Sequence, residues 1–311
     1  MLKQLRTIFS PVVKMPSILY HGVYETGPGY LLKEKFHNVS PQHFRSQLEE
    51  LKRKRTPVFL DELVDLIIQK KRTDKVFTVS FDDGYTSVNE HALPILMELN
   101  IPTTLFVNAG FTASPFWRDG IRLLLNNNLE QQFSEWIYDT QKIKLPSGKL
   151  EFYKYTKKSG KSAAIAKGVH TFLSQHIPDA HALAKKQFME IADWPQSDLL
   201  MLGNHTRDHY VLTDLSKAEQ WEQIQSNHKA LKASGAHVSQ CFSIPFGDPA
   251  SFNQDTLDIV HDLGYKAILT SSGYRVSGFE TEMQDIDAYG LVVGNRFMPR
   301  DNHKISLKSD A

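Results

Sequence analysis

One cysteine, Cys241, stands in 311 residues, so no disulfide can form within the chain and the fold does not depend on an oxidising compartment. Cys241 lies in an apolar, strand-like run, which predicts a buried and inert thiol. An excess of either charge is missing as well. The formal net charge of +1 gives no electrostatic case for nucleic acid or a strongly anionic partner. No stretch approaches the ~20 consecutive apolar residues that a membrane-spanning helix needs. The segment from Met1 to Lys14 is basic and mildly apolar, without an uninterrupted apolar core or a small-residue cleavage site. It reads as a lead-in or first helix, with weak contact to a membrane surface as the alternative. Together these absences point to a cytoplasmic address, with a peripheral place at the inner membrane as a variant.

What is present is ordinary globular composition, 41% hydrophobic and 23% charged, in a chain long enough for a large core. The most informative stretch is Val76-Phe77-Thr78-Val79-Ser80-Phe81-Asp82-Asp83-Gly84-Tyr85. A β-branched apolar run ends there in two adjacent carboxylates. Carboxylates side by side repel, and a cation or a shared proton offsets that repulsion. The plainer reading is a strand that ends in an Asp-Gly turn. A second apolar run, Leu199 to Leu202, leads into Gly203-Asn204-His205-Thr206-Arg207-Asp208-His209. Histidines at i and i+4 face the same way if the segment turns helically, and imidazole suits zinc and similar ions. With one carboxylate from the first stretch they would complete a two-His, one-Asp face.

Elsewhere the pattern alternates strands and helices. Ser40 and Pro41 open a helix carrying Phe44, Leu48 and Leu51. A second helix runs near Asp61 to Lys71 and closes on the solvated cluster Lys70-Lys71-Arg72. Val88 to Leu99 is expected as a helix and Pro102 to Asn108 as the next strand, a βα-repeat that implies parallel pairing. Ser216 can cap a helix from Lys217 to about Lys232. Val238 to Gly247 reads as a strand, Asp255 to Leu263 as a helix stopped by Gly264, and Tyr265 to Thr270 as a strand. Glu282 to Ala288 reads as an acidic turn and Leu291 to Val293 as a last strand. Asn295 to Arg300 is expected to return across the strand ends, and a frayed tail follows from Lys304. About 120 residues separate Gly84 from His205, far more than one βα unit needs. Residues 113–197 are therefore expected to be a mostly helical insertion over the site, with Trp117 and Trp194 read as core residues before stacking platforms.

Ser80-Phe81-Asp82-Asp83-Gly84, His205-Thr206-Arg207-Asp208-His209 and Ser243-Ile244-Pro245-Phe246-Gly247 resemble, in that order, three motifs of the polysaccharide deacetylases, the NodB-homology group. The resemblance covers roughly residues 16–112 and 198–270. It implies an α/β fold, a distorted (β/α)7-type barrel, in a single domain spanning 1–311 with its active site at the C-terminal ends of the strands. It also implies one divalent metal, zinc first, with cobalt, nickel or manganese as alternatives, held by Asp83, His205 and His209. Asp82 would be the general base toward a metal-bound water, and the metal with a backbone N–H near Phe246 would stabilise the oxyanion. Tyr85, Pro245, Phe246 and Gly247 would line the substrate groove. His21, at the tip of the strand Pro16 to Val23, is the candidate general acid, or else a core or turn histidine. The implied partner is an N-acetylated glycan or sugar precursor; the alternatives are another carbon–nitrogen hydrolase or a glycan-binding protein that kept the metal site. The chain departs from the group at Ser243, where an arginine often orients the base. Arg296 and Arg300 are the candidates to replace it. His303 sits in a polar tail and does not match the group's C-terminal histidine.

Overall fold

The computed structural model describes residues 13–24, 38–112, 116–157, 160–180, 182, 186–271, 280–286 and 290–299, with the backbone alone for 13–16, 38 and 280–286. The reading of residues 1–12, of Arg300 and His303, and of the tail from Lys304 lies outside the described residues.

Eleven strands are described, numbered in chain order: β1 (Val13–Tyr20), β2 (Gly22–Val23), β3 (Asn38–Val39), β4 (Thr56–Pro57), β5 (Val76–Phe81), β6 (Thr103–Val107), β7 (Leu200–Asn204), β8 (Val238–Ser243), β9 (Ala267–Ser271), β10 (Glu280–Ile286) and β11 (Leu291–Arg296). Seven of them, β1, β5, β6, β7, β8, β9 and β11, pair in parallel around a nearly closed barrel. This is the distorted (β/α)7 architecture the motifs implied. Where their side chains are described, these runs are mostly buried, as strands covered on both faces must be. Closure comes through Phe297, just past β11. Leu19 N–H donates to its carbonyl at 2.8 Å, and its own N–H donates to the Ser17 carbonyl at 2.9 Å.

β10 corrects the expectation of an acidic turn over Glu282 to Ala288. Glu280 to Ile286 is a strand that pairs antiparallel with β1 on one side and β11 on the other. Acidic residues are poor strand formers in isolation, and two ready-made edges override that preference. The strand expected over Val238 to Gly247 is shorter than read. It ends at Ser243, because Ile244 to Gly247 forms a turn closed by Gly247 N–H on the Ile244 carbonyl at 2.9 Å.

The helices match the periodicity closely. In α1 (Pro41–Lys54) the Ser40 side chain caps the His43 N–H, and Phe44, Leu48 and Leu51 are buried. α2 (Leu60–Ile68) stops before Lys70-Lys71-Arg72, which lie exposed beyond its end. Val88–Ala92 forms a π-turn that runs into α3 (Leu93–Glu98). Among the described residues, four α-helices of eight residues or more lie between β6 and β7: α4 (Trp117–Asn126), α5 (Glu130–Gln141), α6 (Lys149–Thr156) and α7 (Ser162–His176). They own a separate cluster of apolar side chains, with Ile121, Phe133, Ile137, Val169 and Phe172 at its centre. Burying such side chains contributes about 1.5–3 kcal/mol apiece. Gly120 lets α4 approach α7, since a Cβ there would meet the Val169 and Leu173 side chains. α8 (Lys217–Ala233) begins in a reciprocal cap between Ser216 and Glu219, and α9 (Gln254–Asp262) precedes Gly264, whose φ of +79° ends the helical run. Trp117 and Trp194 are both buried, as core residues. So is the Cys241 thiol, and burial pushes its pKa up.

Candidate metal centre and active site

The strand tips bring five polar side chains to one end of the barrel. Asp82 and Asp83 follow β5, His205 follows β7, His21 follows β1, and Arg296 is the last residue of β11. Asp83 has a left-handed φ of +74°, which turns its carboxylate away from that of Asp82. The two neighbours thereby enter different environments.

Asp83 faces the histidines. Its Oδ1 lies 3.5 Å from His205 Nε2 and 3.5 Å from His209 Nε2, and its Oδ2 lies 4.0 Å from His21 Nε2. The three residues Asp83, His205 and His209 each offer a ligand atom, all within 4.8 Å of one another. Oδ1 is buried and has no hydrogen-bond partner in the protein. A buried carboxylate oxygen without a donor is costly, and a cation between it and two imidazoles would offset that cost. His205 Nδ1 donates to the Ser243 carbonyl at 2.9 Å, which leaves the Nε2 lone pair aimed at the centre. The donor set of one carboxylate and two imidazoles fits a divalent transition metal, with room for further ligands.

The helical turn expected to align His205 with His209 is absent. The segment is an irregular loop in which Thr206 (φ +64°) and His209 (φ +55°) both adopt left-handed backbone. For β-branched threonine that conformation is an outlier, which a structure keeps only where its surroundings enforce it. Here they do. Asn108 Nδ2 donates to the carbonyls of His205 and Thr206, and Asn204 Oδ1 accepts the Thr206 N–H. Thr206 Oγ1 accepts the His209 N–H at 3.1 Å. The rings finish 4.7 Å apart between centroids.

Asp82 faces an arginine. Arg296, fully buried, grips it with two parallel bonds of 2.8 Å, Nη1 to Oδ1 and Nη2 to Oδ2. Ser243 Oγ donates to Asp82 Oδ2 at 3.1 Å and accepts Arg296 Nη2 at 2.7 Å. The arginine missing from the third motif is thus supplied by β11, and the serine in its place is itself a partner of the carboxylate. Oδ2 is filled by these bonds, and Oδ1 keeps a lone pair.

Burial pushes the Asp82 carboxyl up. The charges of Arg296 and His205 and the arginine's hydrogen bonds outweigh it, so Asp82 lies below the ordinary carboxylate value. Asp83 is likewise held well below it: burial opposes, but the His205 contact and the charges of His209 and His21 prevail. Burial drives His209 down to about 3 and also lowers His21. His205 moves up instead, because Asp82 and Asp83 together overcome its burial.

The centre opens into a cleft of 470 Å³ lined on one side by His21, Asp82, Asp83, His205 and His209 and on the other by residues of α4 and α6. Of the four residues expected to line the groove, Phe246 does so. Its ring lies 4.6 Å from that of His209, and its φ of +66° holds it there. Pro245 and Gly247 are buried in the turn behind it. Tyr85 does not reach the cleft. It is buried beside Phe188, and its hydroxyl donates to Asp119 at 3.2–3.3 Å.

Fold and centre together give an α/β barrel whose candidate site lies at the C-terminal ends of the strands. The sequence model described as polysaccharide deacetylase matches residues 69–139 and 170–268, more than half of the chain. The chain therefore belongs to the polysaccharide deacetylase family, hydrolases of the carbohydrate esterase type. No curated protein matches it. Among solved structures it is similar to the Streptococcus pyogenes deacetylase PplD in complex with acetate, at 18% identity and TM-score 0.54, over 94% of this chain and 95% of that one. A de-N-acetylase from Aggregatibacter actinomycetemcomitans matches at 14% identity and TM-score 0.53, over 94% and 97%. BC0361, a polysaccharide deacetylase from Bacillus cereus, matches at 14% identity and TM-score 0.51, over 94% and 67%. At these identities the likeness is one of fold. Among the described residues no helix is long and apolar enough to cross a membrane.

Proposed function

We propose that the chain removes N-acetyl groups from an amino sugar in a polysaccharide or glycan precursor, with a divalent cation held by Asp83, His205 and His209. The observation that carries this reading is the division of labour between neighbouring carboxylates: one meets two imidazoles, the other a bidentate arginine. A bound cation of this kind acidifies water and polarises an amide carbonyl. Asp82, kept ionised by Arg296, takes the proton from the attacking water. His21 Nε2, across the cluster, hands a proton to the departing amine. Its lowered pKa makes the imidazolium a stronger acid, and the nearby Asp83 and Asp82 favour its charging. The acyl C–N bond breaks, and acetate and a free amino sugar leave. We read residues 113–197 as one cap over this site within a single domain.

The test is acetate release from N-acetylhexosamine oligomers after chelation and cation add-back. Wild type should regain activity, while Asp82→Asn should bind the cation with unchanged stoichiometry and lose about 10²–10⁴ in rate. Equal activity of the two proteins would remove Asp82 from the reaction.

A further inference from the structure

The wall of the cleft opposite the cation ligands is cationic in a way that the net charge hides. Arg118, Arg122, Lys154 and Lys157, from α4, α6 and the residue after α6, all line it, against one carboxylate, Asp248. Arg122 is neutralised locally by Asp119 at 2.5 Å. Arg118 is not. It is 3% exposed, its Nη1 and Nη2 donate to the neutral oxygens of Thr156 and Tyr153, and no carboxylate lies within ion-pair distance among the described residues. Its guanidinium is sandwiched between the Trp117 ring, at 5.0 Å, and the Tyr153 ring, at 4.0 Å. It is also the second residue of α4, where the helix dipole disfavours a cation. Burial and dipole oppose this charge, and Asp119, too far for an ion pair and already engaged by Arg122, offsets them only in part, yet the packing keeps the guanidinium at the cleft. Lys157 Nζ sits 5.8 Å from the centre of the Phe246 ring, the same ring that packs on His209, and Lys154 is exposed beside it.

Building on the proposed deacetylation, we infer that the substrate carries an oxyanion, a carboxylate or phosphate, next to the acetamido sugar, and that Arg118, Lys154 and Lys157 receive it. The sugar whose acetamide reaches the centre would pack on Phe246, and the anionic group would lie on the α4–α6 side. The guanidinium N–H groups that Arg118 does not spend on Thr156 and Tyr153, together with the two ammonium groups, suit either anion, and both sources share that recognition chemistry. Neutral N-acetylhexosamine polymers would leave Arg118 buried without a direct ion pair, and so bind more weakly.

Calorimetric titration of the full-length, chelated protein at low salt tests this without relying on turnover. Three probes are compared: a neutral N-acetylhexosamine oligomer, an oligomer alternating N-acetylhexosamine with hexuronic acid, and N-acetylglucosamine 1-phosphate. At least one acidic probe should bind tenfold or more tightly than the neutral one, and which of them does so separates carboxylate from phosphate. That preference should collapse in the surface double variant Lys154→Gln/Lys157→Gln, and in Arg118→Gln where circular dichroism shows it folded. Equal or weaker binding of both acidic probes overturns the inference, as does a preference untouched by the double variant. Acetate release from the same probes judges the deacetylation separately: release from the neutral oligomer alone would keep that reading and discard this one.

Discussion

Asp82 and Asp83 illustrate how far residue chemistry could be read without coordinates. Two carboxylates at the end of a buried run demand compensation, and the sequence pattern located both. The partner that separates their roles was far less legible. Arg296 meets Asp82 across 214 positions of sequence, and no local period carries such information. Only barrel closure brings them together. At this scale Arg296→Met is expected to strand a buried carboxylate and lower stability by about 3–5 kcal/mol, measured in denaturant melts. Arg296→Lys keeps a charge but loses the fork, so it should recover part of that stability and little of the rate. A wild-type melting midpoint for Arg296→Met would show that Asp82 is compensated some other way.

At the scale of elements, the helices were readable because each carries its own signals, such as the Ser40 and Ser216 caps and the buried face of Phe44, Leu48 and Leu51. The loop from His205 to His209 was not, because its shape is imposed from outside by Asn108, Asn204 and the neighbouring chain around Gly110. Gly110 N–H donates to the Arg207 carbonyl at 3.0 Å. A Cβ on Gly110 would collide with the Asp208 carboxylate and stand 2.8 Å from the Arg207 carbonyl oxygen. Gly110→Ala should therefore displace the histidine loop as a unit. We expect a rate loss of about 10²-fold, the effect of a misplacement near 1 Å, together with weaker cation uptake in equilibrium dialysis. Unchanged uptake and rate would mean that the loop tolerates the shift. β10 makes the same point for strands, since Glu280 to Ile286 pairs through its neighbours' free edges and not through its own composition.

For the whole molecule, the three candidate ligands join the tips of β5 and β7, two strands separated in the barrel by β6. A cation bound there ties the wall across a strand and favours the native state by mass action. At a hundredfold excess over Kd the gain is about 2.7 kcal/mol. Differential scanning calorimetry should show Tm rising with cation concentration, and His209→Ala should flatten that rise. A Tm that ignores the cation in wild type would argue against a site on these residues. The order in which the barrel is built has a consequence during synthesis. When β9 has just been synthesised, Asp82, Asp83, His205 and His209 are all present in the nascent chain, but Arg296 is still unmade. Cation uptake could then precede competence, with the newborn protein loaded first and switched on only when its final parallel strand docks.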